Sequence, residues 1–348
     1  MMKNITNSLI LLLLSATATL QAAQPMPDDA LIYALKNSMV KVSSSTKTGG
    51  HGWGTGVAIT KDHVLTNCHV LQDSDGISVS HWGTSYPPVG LQADWEHDLC
   101  VLRFEWVGFT PVELGDSETL QYEQPIISIS MPGDSPAPDV SFNKIKALYP
   151  LDGAKVIRSS SAFAIGASGS PVFDYNGKLI ATSTFKSPGQ AAYYYNMPIA
   201  WVKKLMLTPE IKLSAPHGQP FWDTPEKQRP YFMRVVIPMQ NGDWSDLLLI
   251  ANEWATAEPN NAEAWYYAGL AHSRLGHTAP AIANLMPAVV MNPLHINAHI
   301  ELAVAADKAN NVAEFQRAKS GLLAIDSSLE ADLNTALQIA RKPVAVKD

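Results

Sequence analysis

The sequence is poor in several features that mark particular classes of protein. Charged residues make up 16% of the 348 residues, and the net charge of −7 is spread along the chain without a basic block. The composition therefore gives no electrostatic support for binding a nucleic acid. There are only two cysteines, Cys68 and Cys100, which can pair in an oxidising compartment. Their separation along the chain says nothing about their distance in space.

Metal-ligand clusters and phosphate-binding loops are also missing. No group of histidine, cysteine and carboxylate residues has the spacing of a metal site. No glycine-rich loop stands where a strand would lead into a helix. The sequence therefore predicts no metal and no cofactor.

Long hydrophobic runs are absent as well. The N-terminus carries Lys3, a short apolar run over Leu9–Leu14 and small residues at Ala22 and Ala23, which is the order of a signal peptide. The run is too short to span a bilayer, as is every later one, and no cysteine near the cleavage site could carry a lipid. We expect residues 1–23 to be a signal peptide, cleaved after Ala22 or Ala23, and the mature protein to be periplasmic or secreted without a membrane anchor.

What remains has the composition of a globular protein, with 46% hydrophobic residues and enough length for two domains. Residues 28–207 read as short β-rich runs separated by turn signals such as Asp75-Gly76 and Asn176-Gly177, a spacing typical of an antiparallel sandwich or a pair of barrels. Residues 208–230 contain five prolines and no periodicity, so we interpret them as a linker that is partly packed.

Residues 231–342 are rich in alanine and leucine and show a period of 34 residues, which separates Pro259 from Pro293. The middle unit resembles the tetratricopeptide repeat at five positions of that family: Trp265, Gly269, Ala281, Ala288 and Pro293. The flanking units are degenerate, since Pro238 would disturb a first helix. An unrelated helical bundle is the alternative.

The segment Gly166-Ala167-Ser168-Gly169-Ser170-Pro171 surrounds one hydroxyl with small residues. One interpretation is a tight turn between strands. The other is that backbone N–H groups must approach a reacting carbonyl closely here, which requires a base and a carboxylate elsewhere in the chain.

Two earlier segments contain candidates for these groups. A predicted strand, a turn and a second predicted strand lead into Thr66-Asn67-Cys68-His69, which contains His69. Asp98 begins the apolar run DLCVLRF, where it could also be a gatekeeper charge against aggregation. Asp94 is the fallback carboxylate.

The order His69, Asp98, Ser168, each in its local setting, resembles chymotrypsin-fold serine proteases, most nearly the HtrA-type and glutamyl-endopeptidase-type members. An α/β-hydrolase would have its histidine last. The resemblance covers about residues 30 to 205. It implies a multidomain protein with an all-β double-barrel chymotrypsin-like domain, followed here by an all-α tetratricopeptide-repeat domain. It also implies a serine endopeptidase acting on polypeptide substrates through an acyl-enzyme, with an oxyanion hole formed by the backbone N–H groups of Gly166 and Ser168.

The resemblance implies further residues. The walls of the first substrate pocket would include Ala162, Thr184 and Lys186, which predicts a small or apolar preference, or an acidic one if Lys186 faces the substrate. Because the triad brings their segments together, we favour a disulfide between Cys68 and Cys100 over two buried thiols.

The repeats would bind a protein partner in a groove lined by Tyr266, Arg274 and Asn297, or would only shield and stabilise the protease domain. No PDZ-like segment follows the protease region. The competing functional hypothesis is a catalytically idle exported adaptor or scaffold that acts through its repeats.

Overall fold

A computed structural model describes residues 25–46, 49–131, 133, 137–164, 166–189, 191–215 and 217–342. The predicted signal peptide, residues 1–23, lies outside these residues. No helix within the described ranges is long and apolar enough to cross a lipid bilayer.

An antiparallel sheet of seven strands forms the first half of the β-rich part. After helix α1 (Asp29–Lys36), the strands are β1 (Met39–Thr46), β2 (His51–Ala58), β3 (His63–Thr66), β4 (Ser74–His81), β5 (Thr84–Tyr86), β6 (Gly90–Asp94) and β7 (Leu99–Arg103). Their order is β5-β4-β1-β2-β3-β7-β6. Because alternate residues of a strand face the same side, Val40 and Val42 of β1 both enter the core, where they join Val64 and Leu102.

A closed barrel of six strands forms the second half. Its strands are β8 (Pro125–Ser130), β9 (Asp139–Leu151), β10 (Ala154–Ser159), β11 (Pro171–Asp174), β12 (Leu179–Lys186) and β13 (Tyr194–Pro198), in the order β10-β13-β12-β11-β8-β9, and helix α2 (Ile199–Leu205) follows. We call residues 29–205 the β-region. Hydrogen bonds close the sheet of β8 to β13 into a barrel, whereas the seven-stranded sheet keeps two edge strands, β5 and β6.

One sequence interpretation is wrong in detail, since Asp75-Gly76 is not a turn but lies inside β4. Residues 208–230, predicted as a partly packed linker and called the connecting segment below, pack against the β-region. Ile211 bridges Leu91 on the open edge strand β6, and two short 3-10 turns follow, at Phe221–Asp223 and Glu226–Gln228.

The rest of the chain is the helical region, from α3 to α10. Its helices are α3 (Tyr231–Arg234), α4 (Val236–Asn241), α5 (Trp244–Ala257), α6 (Ala262–Arg274), α7 (Thr278–Met291), α8 (Ile296–Lys308), α9 (Val312–Ile325) and α10 (Glu330–Arg341). The starts of α5, α7 and α9 are 34 residues apart, as are those of α6 and α8. Pro238 has no N–H and crowds the preceding turn, which accounts for the break between α3 and α4.

The helical region packs directly on the closed barrel. The Tyr122 hydroxyl donates to Glu263 Oε1 of α6 at 2.8 Å. Arg158 of β10 donates to the Tyr267 hydroxyl at 3.3 Å, and both side chains are buried. Buried side chains of the barrel and of the helices form one continuous hydrophobic core.

Candidate active site

Three segments that are distant in sequence meet where the two halves of the β-region face each other. His69 lies in a short 3-10 turn after β3, Asp98 directly precedes β7, and Ser168 lies between β10 and β11. His69 Nδ1 is 2.6 Å from Asp98 Oδ2, and His69 Nε2 is 2.9 Å from Ser168 Oγ. Because a carboxylate can only accept, the proton on this imidazole belongs on Nδ1, which leaves Nε2 free to accept from the Ser168 hydroxyl.

Asp98 is buried, with 1% of its surface exposed. Its Oδ1 accepts from the backbone N–H of His69 at 2.8 Å, so the carboxylate contacts that residue twice. Asp98 adopts a φ of 59°, which is uncommon for a residue other than glycine and is found at functional sites. The fallback carboxylate, Asp94, contacts a different histidine, since its Oδ2 lies 2.7 Å from His97 Nδ1.

The loop from Gly166 to Ser170 presents two backbone N–H groups without an acceptor. The N–H groups of Ala167, Gly169 and Ser170 donate to carbonyl oxygens, whereas those of Gly166 and Ser168 meet no acceptor in the described ranges. These two are the groups that the sequence resemblance assigns to an oxyanion hole.

Thr55 of β2 fixes the orientation of this loop. Its hydroxyl donates to the Gly166 carbonyl at 2.9 Å, and its N–H donates to the Ser168 carbonyl at 2.8 Å. Thr66 in turn donates to the Thr55 carbonyl. No sequence pattern predicts this role, because a threonine in a strand is ordinary.

Cys68 and Cys100 form a disulfide, and their Cα atoms are 4.9 Å apart. Both are buried. The bond joins the residue before His69 to β7, two residues after Asp98, and so links the two segments that carry the histidine and the carboxylate.

The predicted pocket residues have different surroundings. Ala162 and Lys186 are exposed. Thr184 is 2% exposed, and its hydroxyl donates to the Thr182 carbonyl while accepting from Asn67 Nδ2. Its hydroxyl is therefore already paired within the protein.

The predicted groove residues also differ from one another. Arg274 and Asn297 are exposed, and Arg274 forms a two-pronged ion pair with Glu301. Tyr266 is 8% exposed, and its ring lies 4.6 Å from that of His295, so it does not line an open groove. Its ring also meets that of Tyr267 at 5.0 Å.

The connecting segment contributes a residue that sequence reasoning missed. Trp222 Nε1 donates to Asp98 Oδ2 at 3.3 Å, and the Trp222 ring meets the His69 ring edge to face at 5.7 Å. A tryptophan in a proline-rich stretch has no local pattern that would predict this contact.

Two further histidines contact carboxylates. His97 does so near the candidate site, and His295 does so where the helical region packs on the β-region. Burial lowers the pKa of His97, but its contacts with Asp94 and Asp152 outweigh burial, and the net shift is upward. Burial raises the pKa of Glu263, yet the nearby charges of His295 and Arg158 bring it below its ordinary value.

The β-region is similar in sequence to known peptidases. Residues 54–181 match the family model of a trypsin-like peptidase domain. A probable periplasmic serine endoprotease DegP-like from Chlamydia pneumoniae is 29% identical over 147 residues, which cover 40% of this chain and 30% of that protein. A protein of the same description from Chlamydia trachomatis serovar D is 30% identical, with 40% of this chain and 29% of that protein covered.

The chain thus spans about 30% of the length of these curated relatives. Among solved structures, the active form of the Rv3671c protease from M. tuberculosis aligns with a TM-score of 0.47 at 21% identity and covers 56% of this chain and 90% of that chain. The family match lies wholly within the β-region. Together with the relatives, it supports a trypsin-like peptidase domain in the β-region, which a helical region follows.

Proposed function

We propose that the protein is an exported serine endopeptidase that cleaves peptide bonds through His69, Asp98 and Ser168. The observation that carries the proposal is the pair of short contacts made by His69, at 2.6 Å to Asp98 and 2.9 Å to Ser168. A serine hydroxyl is a weak nucleophile at neutral pH, and a hydrogen-bonded imidazole is the group that activates it.

In this mechanism, Ser168 Oγ attacks the scissile carbonyl while His69 Nε2 takes its proton. The same proton passes to the leaving amine as the carbon–nitrogen bond breaks, which gives an acyl-enzyme on Ser168. Water, deprotonated by His69, then releases the acid. Asp98 holds the imidazole in one tautomer and stabilises its protonated form.

The developing oxyanion would accept from the N–H groups of Gly166 and Ser168. Each donor of this kind contributes about 3 kcal/mol of transition-state stabilisation in comparable enzymes. Their lack of an acceptor in the described chain supports this role, because an amide used only in the transition state has no partner beforehand.

Reaction with a fluorophosphonate probe tests the proposal without knowledge of the substrate. The wild-type mature protein is expected to gain one probe mass as Ser168 Oγ displaces fluoride from phosphorus. Ser168→Ala should gain none. Ser170→Ala is the matched control, because Ser170 is a buried serine two positions away and its loss should leave labelling intact.

Absence of labelling in the folded wild-type protein would overturn the enzymatic proposal. It would favour the competing hypothesis of an idle adaptor, in which deletion of the repeats, but not Ser168→Ala, removes the cellular phenotype.

Substrate preference is the next part of the proposal. We expect small or apolar residues before the cleaved bond, with an acidic preference as the alternative carried by the exposed Lys186. A peptide library resolves the two. Enrichment of aspartate or glutamate that disappears in Lys186→Ala would establish the acidic preference.

The proposal extends to the N-terminus of the chain. Residues 1–23 would direct export, which fits a disulfide between Cys68 and Cys100, because such bonds persist in oxidising compartments. N-terminal sequencing of the exported protein tests this, with cleavage after Ala22 or Ala23 expected.

The helical region would be a tetratricopeptide-like stack that binds a protein partner. Its helix pairs repeat every 34 residues, and Arg274 and Asn297 remain exposed on the first helices of two pairs. Loss of a co-purifying protein in Arg274→Glu with Asn297→Ala would support a binding role. Unchanged partners together with lower stability would favour helices that only support the protease.

A further inference from the structure

The connecting segment brings one tryptophan to the catalytic pair from outside the β-region. Trp222 Nε1 donates to Asp98 Oδ2 at 3.3 Å. The Trp222 ring approaches the His69 imidazole edge to face at 5.7 Å and stacks on Phe185 of β12 at 5.4 Å. Trp222 therefore contacts both groups that would move the proton of Ser168.

The Asp98 carboxylate has few donors. Within the described chain, three N–H groups reach it: the backbone N–H of His69, His69 Nδ1 and Trp222 Nε1. Thr184 carries a buried hydroxyl on the neighbouring strand β12, but that hydroxyl donates to the Thr182 carbonyl instead. Apart from His69 itself, Trp222 is thus the described residue that stabilises this carboxylate. A buried carboxylate is costly without such donors.

Trp222 is held in position through its neighbour. Phe221 is buried, and its N–H donates at 2.9 Å to the carbonyl of Glu96, two residues before Asp98. The Phe221 ring contacts Phe232 of α3 at 6.5 Å. The segment is therefore tied to the loop of Asp98 at one point and to the helical region at another.

We infer that Trp222 is a positioning residue for Asp98 and His69, and that the docking of the helical region keeps it there. The inference rests on the proposed endopeptidase function. The indole N–H holds one carboxylate oxygen, so the carboxylate is oriented when the imidazole needs it. If this donor is removed, Asp98 becomes a stronger acceptor for His69 Nδ1, which favours the protonated imidazole over the neutral form that activates Ser168.

The test uses the full-length mature protein and the rate of fluorophosphonate labelling between about pH 5 and about pH 9, where a histidine base titrates. Trp222→Phe keeps most of the ring and removes the N–H. It should lower the plateau rate about tenfold, a fraction of what a general base contributes, and move the acid limb of the profile to higher pH. Trp222→Ala should lower the rate further, because water then reaches Asp98.

Trp265→Phe is the matched control. Trp265 is also half-buried and also donates its indole N–H to an oxygen, the Pro259 carbonyl at 2.8 Å, but in the helical region. It should change neither the plateau nor the acid limb. A loss of the low-field proton signal of the His69–Asp98 hydrogen bond in Trp222→Phe would support positioning independently of any rate.

Three outcomes would overturn the inference. The first is a folded Trp222→Phe whose rate and acid limb match those of the wild type. The second is a rate loss in Trp222→Phe without movement of the acid limb, since such a loss is a packing effect. The third is a wild-type protein that does not label at all, which overturns the proposed function as well. Trp222→Phe decides the matter even if Trp222→Ala does not fold.

Discussion

The β-region and the helical region both place glycine at a crowded point, for different physical reasons. Gly169, next to Ser168, has a φ of 85°, and a Cβ there would overlap the Thr55 carbonyl oxygen. Gly269 lies in α6 with ordinary helical geometry, and a Cβ there would press on the Leu285 side chain of α7. In the β-region the glycine permits a backbone conformation, whereas in the helical region it permits two helices to approach.

The same difference holds for how each region assembles its contacts. The candidate site joins residues from separate segments that are far apart along the chain: His69, Asp98, Ser168 and Trp222. In the helical region, α6 packs mainly on α7 and α8 on α9, and each partner is the next helix of the chain. A substitution near the candidate site should therefore alter chemistry, whereas a comparable substitution between two helices should alter stability.

The largest effect is expected from Gly169→Ala. The added methyl group meets backbone rather than a flexible side chain, so the loop that carries Ser168 must shift. We expect fluorophosphonate labelling to fall at least about a hundredfold, since one misplaced oxyanion donor alone has that effect. Gly83→Ala is the control, because Gly83 has the same φ of 85° with open space around it. It should cost only about 1 kcal/mol of stability and leave labelling unchanged. Equal labelling in the two variants would show that a side chain at position 169 does not displace Ser168.

Removal of the disulfide should have the next largest effect. Cys68→Ala with Cys100→Ala opens a cross-link between residues 32 apart, which corresponds to about 3 to 4 kcal/mol of unfolding free energy. Urea unfolding of the double variant measures it, and reduction of the wild-type protein should give a similar loss. If neither treatment moves the urea midpoint, the bond contributes nothing to the stability of the β-region.

Sequence patterns predicted best what local interactions determine. The run Pro125 to Ser130 coincides with β8, and the 34-residue period matches the spacing of the helix pairs. Ser168, His69 and Asp98 are predicted as site residues because each lies in a short motif with its own local setting. Such signals survive in a single sequence because neighbouring residues alone produce them.

What the sequence did not predict depends on contacts between distant segments. The second half of strand β1, Ser-Ser-Ser-Thr, lacks an apolar pattern and is a strand because β2 and β4 pair with it. Tyr266 is buried because its ring packs against Tyr267 and against His295, which comes from the segment before α8. Trp222 becomes part of the candidate site only because the connecting segment folds back over Asp98.

Gly269→Ala should have a moderate effect, and only on stability. Its methyl group meets Cγ and Cδ2 of the buried Leu285 side chain and approaches the Leu285 backbone nitrogen, so α6 and α7 must separate slightly, at a cost of about 1 to 3 kcal/mol for overpacking. Thermal unfolding should show the loss, while the labelling rate of the folded protein should equal that of the wild type. A large drop in labelling would show that the spacing of α6 and α7 reaches the catalytic pair, and the division of roles between the regions would fail.

The interface pair Glu263 and His295 should give the helical region its own pH dependence. Burial raises the pKa of Glu263, but the charges of His295 and Arg158 outweigh it and lower the pKa below the ordinary 4.5. A carboxyl group of this kind stabilises the fold above pH 4.5, and the stabilisation is lost as the pH falls through the lowered value. Urea midpoints should therefore decline below about pH 4.5 in the wild type and less steeply in Glu263→Gln.

The smallest effect is expected from His97, and it should run in the opposite direction. Burial lowers the pKa of His97, yet Asp94 and Asp152 raise it above the ordinary 6.5 overall, while Trp201 stacks on the ring. The stabilisation is complete below pH 6.5 and is lost as the pH rises through the raised value. Because Asp152 is about half exposed, the change should stay within about 1 kcal/mol. Urea midpoints of His97→Gln should approach those of the wild type at high pH and fall short of them near pH 6.5. A gap that stays constant across this range would mean that His97 acts through packing on Trp201 rather than through its charge.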